Sequence, residues 1–91
     1  MSLTITHVRF GDGPKTHSGI VRYKWKNDSN GNVEDSSRAA MVDWIETKGG
    51  KAFVGVGSNR VNVYVVDASP KHLRTAADGK WTNNLLNLPE F

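Results

Sequence analysis

Ser36-Ser37-Arg38-Ala39-Ala40-Met41-Val42-Asp43-Trp44-Ile45-Glu46-Thr47-Lys48-Gly49-Gly50 is the one stretch of this 91-residue chain that reads as a helix. Met41, Val42 and Ile45 fall on one helical stripe, with Trp44 at its edge. A serine at the start can accept a bond from an exposed backbone N–H, and Glu34 and Asp35 bring negative charge to the positive helix end. Lys48 suits the negative end, and Gly49-Gly50 stops the helix because glycine takes the left-handed conformation without penalty. Everything on either side of this stretch has the marks of strands and turns. A lone helix among strands decides the fold class.

Toward the N-terminus, residues 3–10 are rich in β-branched and aromatic side chains and read as a strand. Its alternation is broken: Leu3 and Ile5 share one face, Val8 and Phe10 the other, and a bulge or a change of cover would reconcile them. The Gly11-Asp12-Gly13-Pro14 turn leads to a second strand, residues 20–25, as a hairpin partner. There Val21, Tyr23 and Trp25 alternate with Arg22, Lys24 and Lys26. Residues 27–32 form a polar loop before the helix. Beyond the helix, residues 51–56 and 60–66 make a hairpin around Gly57-Ser58-Asn59, with Val61, Val63 and Val65 inward. Residues 72–77 form a fifth strand, and Asp78-Gly79 turns it back through residues 80–82. The Leu85-Leu86-Leu88 tail is a short helical turn or an extended cover over a sheet edge. The expected fold is α+β: an antiparallel β-sheet, ββαββ plus a C-terminal hairpin, with one α-helix packed on it. Residues 1–91 are expected to form a single domain, too small for a deep cleft of its own.

The chain has no cysteine, which excludes disulfides, thiolate metal sites and cysteine nucleophiles. It shows neither a signal-peptide pattern nor an apolar run near the ~20 residues of a membrane span. A soluble, cytoplasmic protein is expected, without a membrane partner. Lys and Arg number 12 against 9 Asp and Glu, a net charge of +3. That surplus serves solubility, or an anionic partner if the cations share a face.

Three clusters carry candidate chemistry. On the second strand, Arg22, Lys24 and Lys26 line one face, with His7 and Arg9 positioned to join them, and such a face neutralises phosphates. An ordinary solvated sheet face has the same composition. At the helix start, Ser36, Ser37 and Arg38 offer hydroxyls, free N–H groups and a guanidinium to an anion. Simple capping, with Arg38 paired to Glu34 or Asp35, uses the same residues. In the C-terminal hairpin, Arg74, Thr75, Trp81, Asn83 and Asn84 supply a cation, an aromatic plate and amides, the parts that stack and read a base. The alternative there is a core tryptophan with amides capping the tail. Enzyme signatures are missing. His7, His17 and His72 lack metal-ligand spacing, the aspartates are scattered, and the sequence has no nucleophile elbow or phosphate loop.

Ser36-Ser37-Arg38, Met41-Val42-Asp43-Trp44-Ile45, Arg74-Thr75, Ala77-Asp78-Gly79, Trp81-Thr82, Asn84-Leu85-Leu86 and Leu88-Pro89 together resemble the small bacterial and phage family catalogued as domain of unknown function 3892. Ile5-Thr6-His7-Val8-Arg9 and Trp25-Lys26-Asn27 fit as well. The resemblance covers nearly the whole chain and implies a bacterial cytoplasmic setting, phage-encoded in some members. It implies no activity and no site.

The expected function is a non-enzymatic binding protein, working as a small homo-oligomer on an anionic nucleotide or cyclic nucleotide. By analogy with small oligomeric phage proteins, this extends to sequestering a nucleotide immune signal. Arg22, Lys24, Arg38 and Arg74 would hold phosphate, Trp25 or Trp81 would stack on the base, and Ser36, Ser37, Thr75 and Asn84 would complete the contacts. No cofactor or metal is expected. A nucleic-acid-binding module using the basic sheet face and a protein-interaction module using the Leu-rich tail are the alternatives.

Overall fold

Strand β1 (Ser2–Phe10) resolves its own broken alternation with a bulge. Ile5 pairs with Trp25 and His7 with Lys24, leaving Thr6 unopposed. The extra residue turns Leu3, Ile5 and Val8 to one face, where they are 2%, 1% and 0% exposed. A second irregularity lies in β2 (Ile20–Asn27): Arg9 pairs with Arg22 but Phe10 with Ile20, so Val21 is the extra residue. Val21, expected inward beside Tyr23 and Trp25, is 37% exposed, while Ile20 and Tyr23 are fully buried.

This computed structural model describes all residues except Met1, Val56, Ser58, Asn59, Ser69, Pro70, Asp78, Gly79 and Asn83, and leaves the side chains of Ala77, Lys80 and Trp81 undescribed. The Ser58-Asn59 and Asp78-Gly79 turn expectations lie outside the described residues.

The fold is α+β, but the sheet is mixed. Its order is β3-β2-β1-β4-β5-β6-β7, with β3 (Val33–Ser37), β4 (Lys51–Val54), β5 (Val61–Val66), β6 (His72–Ala77) and β7 (Lys80–Thr82). The expectation of a purely antiparallel sheet fails at one junction: β4 runs parallel to β1, Leu3 opposite Ala52 and Thr4 opposite Phe53. The helix α1 (Arg38–Lys48) is the cause, because it acts as a crossover that returns the chain alongside β1 in the same direction. Strand β3 is a further departure. Val33-Glu34-Asp35-Ser36-Ser37 carries one apolar residue, yet it pairs with β2 over five rungs. As an edge strand it needs little burial, so its polar sequence is no obstacle.

Helix α1 begins as its sequence predicts. Ser37 is the cap, its Oγ accepting from Ala40 N at 3.2 Å. Gly49 closes the helix in the left-handed region at φ 66°. Met41 and Val42 are buried, with Trp44 and Ile45 packed against the core. Gly50 has a different role: a Cβ there would lie 2.3–2.4 Å from the Trp44 ring.

The sheet rolls around its core. The Leu73 backbone lies close enough to the Tyr23 phenol to influence its ionisation. β2 and β6 stand four places apart in the sheet order; in a flat sheet that is about 19 Å, beyond a tyrosine's reach. The rolled interior holds Leu3, Ile5, Val8, Ile20, Tyr23, Val63, Leu73 and Leu85. The Leu-rich tail takes the first of the two forms expected of it, a short turn. Asn87 and Leu88 bond back to Asn84 and Leu85 in a turn, and Leu85 is fully buried. The chain then runs extended beside β1, Val8 N donating to Pro89 O and Phe91 N to Val8 O.

Candidate functional site

Residues opposite one another on paired strands share a face. Across β1 and β2, Arg9 stands opposite Arg22, His7 opposite Lys24 and Thr4 opposite Lys26. The buried rungs Leu3–Asn27, Ile5–Trp25 and Val8–Tyr23 lie on the other side. Arg9, Arg22, Lys24 and Lys26 therefore crowd one outer face, away from the core. Asp35, on β3 opposite Lys24, is the acid among them, and it forms an ion pair with Arg22.

Phe91 sits in the middle of this face. The Arg9 guanidinium lies 4.5 Å from its ring centre and Lys24 Nζ 5.7 Å, while the His7 ring meets it edge-on at 6.4 Å. Arg9 Nε also donates to Phe91 O at 2.8 Å. Farther along the same face, Phe53 carries the Arg60 guanidinium at 3.9 Å. Arg60 in turn pairs with Asp28, which accepts from Ser2 and Thr4 hydroxyls at 2.8 Å each. Partial burial opposes ionisation of Asp28, but the donors Thr4, Ser2 and Arg60 outweigh it and hold the carboxyl below the ordinary range.

The other expected site residues separate into distinct tasks. Arg38, anticipated as a pair for Glu34 or Asp35, instead donates from Nη1 to Ser18 O and ties α1 to the turn before β2. Ser37 is occupied as the helix cap. Thr75, Thr82 and Asn84 bond to one another: Thr75 Oγ1 lies 2.5 Å from Thr82 Oγ1, which lies 2.5 Å from Asn84 Oδ1. Thr75 is fully buried. Arg74 Nη2 reaches Thr82 O at 3.5 Å, so the hairpin uses its cation and amide internally. The stacking role expected of Trp81 and the contact expected of Asn83 lie outside the described residues.

Trp25 and Ser36 do come together, on the core side of the sheet. Trp25 Nε1 donates to Ser36 Oγ at 3.1 Å, which fixes the indole. Both residues line a cleft of about 390 Å³ between the β2–β3 strands and α1. Leu3, Met41 and Trp44 give it an apolar lining, and Asp43 and Lys48 add a carboxylate and an ammonium. Trp44 and Lys48 were not anticipated as site residues, because each had a sufficient role in the helix, and Asp43 was read only among the scattered aspartates. The spacing Ala40, Trp44, Lys48 was the available signal, since residues four apart share a helix face.

Among the described residues, no group of His, Asp and Glu could hold a metal ion, and no helix is long and apolar enough to cross a membrane. His17 is buried, with its Nε2 lacking a hydrogen bond among the described residues. Burial first, then the positive charges of Arg74 and His72, hold its pKa below the ordinary histidine value.

No curated protein and no solved structure gave a match to the chain. A family model matches residues 4–89, and with that coverage the chain belongs to the family described as a protein of unknown function, DUF3892.

Proposed function

We propose that this protein is a non-enzymatic binder of nucleotide-type polyanions, and that its contact surface is the outer face of β1 and β2. The observation that carries this reading is the run of Arg9, Arg22, Lys24 and Lys26 on one face with the Phe91 ring among them. Cations laid along strands match phosphates laid along a chain, and an aromatic ring between them offers a plate for a base. That combination favours single-stranded nucleic acid over a compact nucleotide, whose phosphates call for cations gathered around a cavity. It also favours a single strand over a duplex, whose bases are already stacked. Self-association belongs to this reading, because a second copy would lengthen the cationic track; sedimentation equilibrium tests it.

The function is tested by fluorescence anisotropy with a labelled single-stranded oligonucleotide over a series of salt concentrations. Neutralising three or four phosphates gives a slope of log affinity on log salt of about −2 to −3. Replacing Lys24 and Lys26 together with Gln lowers that slope by about 1.4. Phe91→Ala weakens binding roughly 5- to 150-fold at all salt concentrations, the range for one stacked base. A slope shallower than −1 in the unaltered protein, or no binding at low salt, refutes the reading.

A further inference from the structure

The cleft between Trp25 and Trp44 lies on the opposite side of the sheet from the basic face, and its chemistry is different. Two indoles, Leu3 and Met41 line it, a composition that suits a flat apolar ring system. Trp25 is held by Ser36, and Trp44 lies against Gly50 so closely that a Cβ would not fit, so both rings are held before anything binds. The volume, about 390 Å³, falls at the small end of the range for sites that take small molecules, roughly 300–1,000 Å³. At the rim stands Asp43, which makes no ion pair or hydrogen bond among the described residues. Lys48, one helical turn past Trp44, is likewise unengaged among the described residues.

We propose that this cleft is a binding site for a purine nucleotide of the guanine type, with the base between Trp25 and Trp44, its donor edge on Asp43 and its phosphate toward Lys48. The discriminating group is Asp43. A carboxylate only accepts hydrogen bonds, and guanine presents two adjacent donors, N1–H and the N2 amino group, on its Watson–Crick edge. Adenine presents an acceptor, N1, at the same place, which a carboxylate repels. A bare organic cation would also be drawn to two indoles and a carboxylate, but Lys48 on the same rim opposes it. A nucleotide uses both charges. This site stands independently of the basic face and takes its ligand through other residues.

The test is calorimetric titration of the full chain with GMP, IMP, AMP and inorganic phosphate in turn, at low salt. GMP saturates at one site per chain and binds roughly tenfold or more tighter than AMP, the discrimination expected of a two-bond edge contact. IMP, which lacks the N2 amino group, falls between them, and phosphate alone binds more weakly than any nucleotide. Asp43 is exposed on the helix surface, so Asp43→Asn retains the fold by circular dichroism while closing the gap between GMP and AMP. Trp44→Leu weakens both nucleotides alike. Lys24→Gln, on the other face, leaves the ratio of GMP to AMP affinity unchanged. Three results would overturn the proposal: no saturable GMP binding up to millimolar concentration, equal affinity for GMP, AMP and phosphate, or a GMP–AMP gap that persists in Asp43→Asn.

Discussion

Replacing Gly50 with alanine gives a sharp test of how the helix end is built. Gly50 follows the helix C-cap, and its backbone needs no left-handed conformation, so alanine meets no conformational penalty there. The obstacle is Trp44. A Cβ at position 50 would lie 2.3 Å from Cδ2 and 2.4 Å from Cε2 and Cε3 of the indole, where comfortable carbon contacts are about 3.5–4.0 Å. The ring must therefore retreat by about 1 Å against its own packing, and overpacking of this kind costs about 1–3 kcal/mol. A domain of this size loses about 4–8 °C in Tm per kcal/mol, so a cost near 2 kcal/mol lowers Tm by about 8–16 °C. The assay is urea unfolding of a double-mutant cycle in which Gly50→Ala is made alone and together with Trp44→Leu. With the indole gone, Gly50→Ala should cost less than about 0.5 kcal/mol, leaving a coupling of about 1.5 kcal/mol for a cost near 2. Gly49→Ala is the control. Its φ of 66° is left-handed and nothing lies within 4 Å of a Cβ, so it costs about 1–2 kcal/mol from backbone conformation alone, the same with or without Trp44. Equal costs for Gly50→Ala in the two backgrounds would refute the steric account.

Further tests bear on buried polar groups. The Tyr23 phenol is fully buried and its oxygen lacks a hydrogen bond of good geometry among the described residues, so Tyr23→Phe should leave stability unchanged or raise it by about 1 kcal/mol in urea unfolding; a loss above 1 kcal/mol would reveal a partner for the hydroxyl. Thr75→Val keeps the volume but removes the hydroxyl that meets Thr82, and should cost about 1–2 kcal/mol; a neutral result would mean the Thr82–Asn84 bond alone secures the hairpin. For His17, the folded pKa lies below the unfolded value of 6.5. The unfolded chain therefore takes up the proton first as pH falls, so stability is full above that value and declines below it until the folded pKa is reached. Chemical denaturation at pH 7.5 and 5.5 should show this decline in the parent and a smaller one in His17→Gln; identical declines would remove His17 from the account.

The fold was legible wherever local chemistry decides it. Ser37 as cap, Gly49 as stop, Met41 and Val42 as the buried stripe and His72–Ala77 as a strand each follow from their own neighbourhood in the sequence. The broken alternation of Leu3, Ile5 and Val8 left a bulge or a change of cover open, and the register decides for a bulge at Thr6. What was hidden depends on partners far away along the chain. Strand β3 has no apolar pattern because it is an edge, paired on one side only. The parallel β1–β4 junction is a property of where the helix delivers the chain, and an alternation of side chains reads the same in a parallel or an antiparallel neighbour. Val21 was misplaced because a bulge shifts every residue before it to the opposite face, and a strand with a perfect alternation gives no warning of one.

The candidate sites divide along the same line. The cations of β2 were assigned to one face by alternation alone, and the β1 register then added Arg9 and His7 to them. Ser37, Arg38, Thr75 and Asn84 are engaged within the fold for a physical reason: the groups that hold a phosphate or a base edge are the same ones that satisfy a helix end or a tight hairpin. Composition cannot separate those uses, but backbone demand often decides between them. A helix start must find acceptors for its free N–H groups whether or not a ligand exists, so its own residues are committed first. Trp44 shows the converse. It was set aside as the edge of a buried stripe, although Gly49-Gly50 carries one glycine more than a helix stop requires. Gly49 alone supplies the left-handed turn; the second glycine is explained only by an aromatic ring lying flat where its side chain would be. A redundant glycine beside a tryptophan is thus a sequence signal that the ring is held in place, and a ring held at the edge of a cleft is a wall available to a ligand.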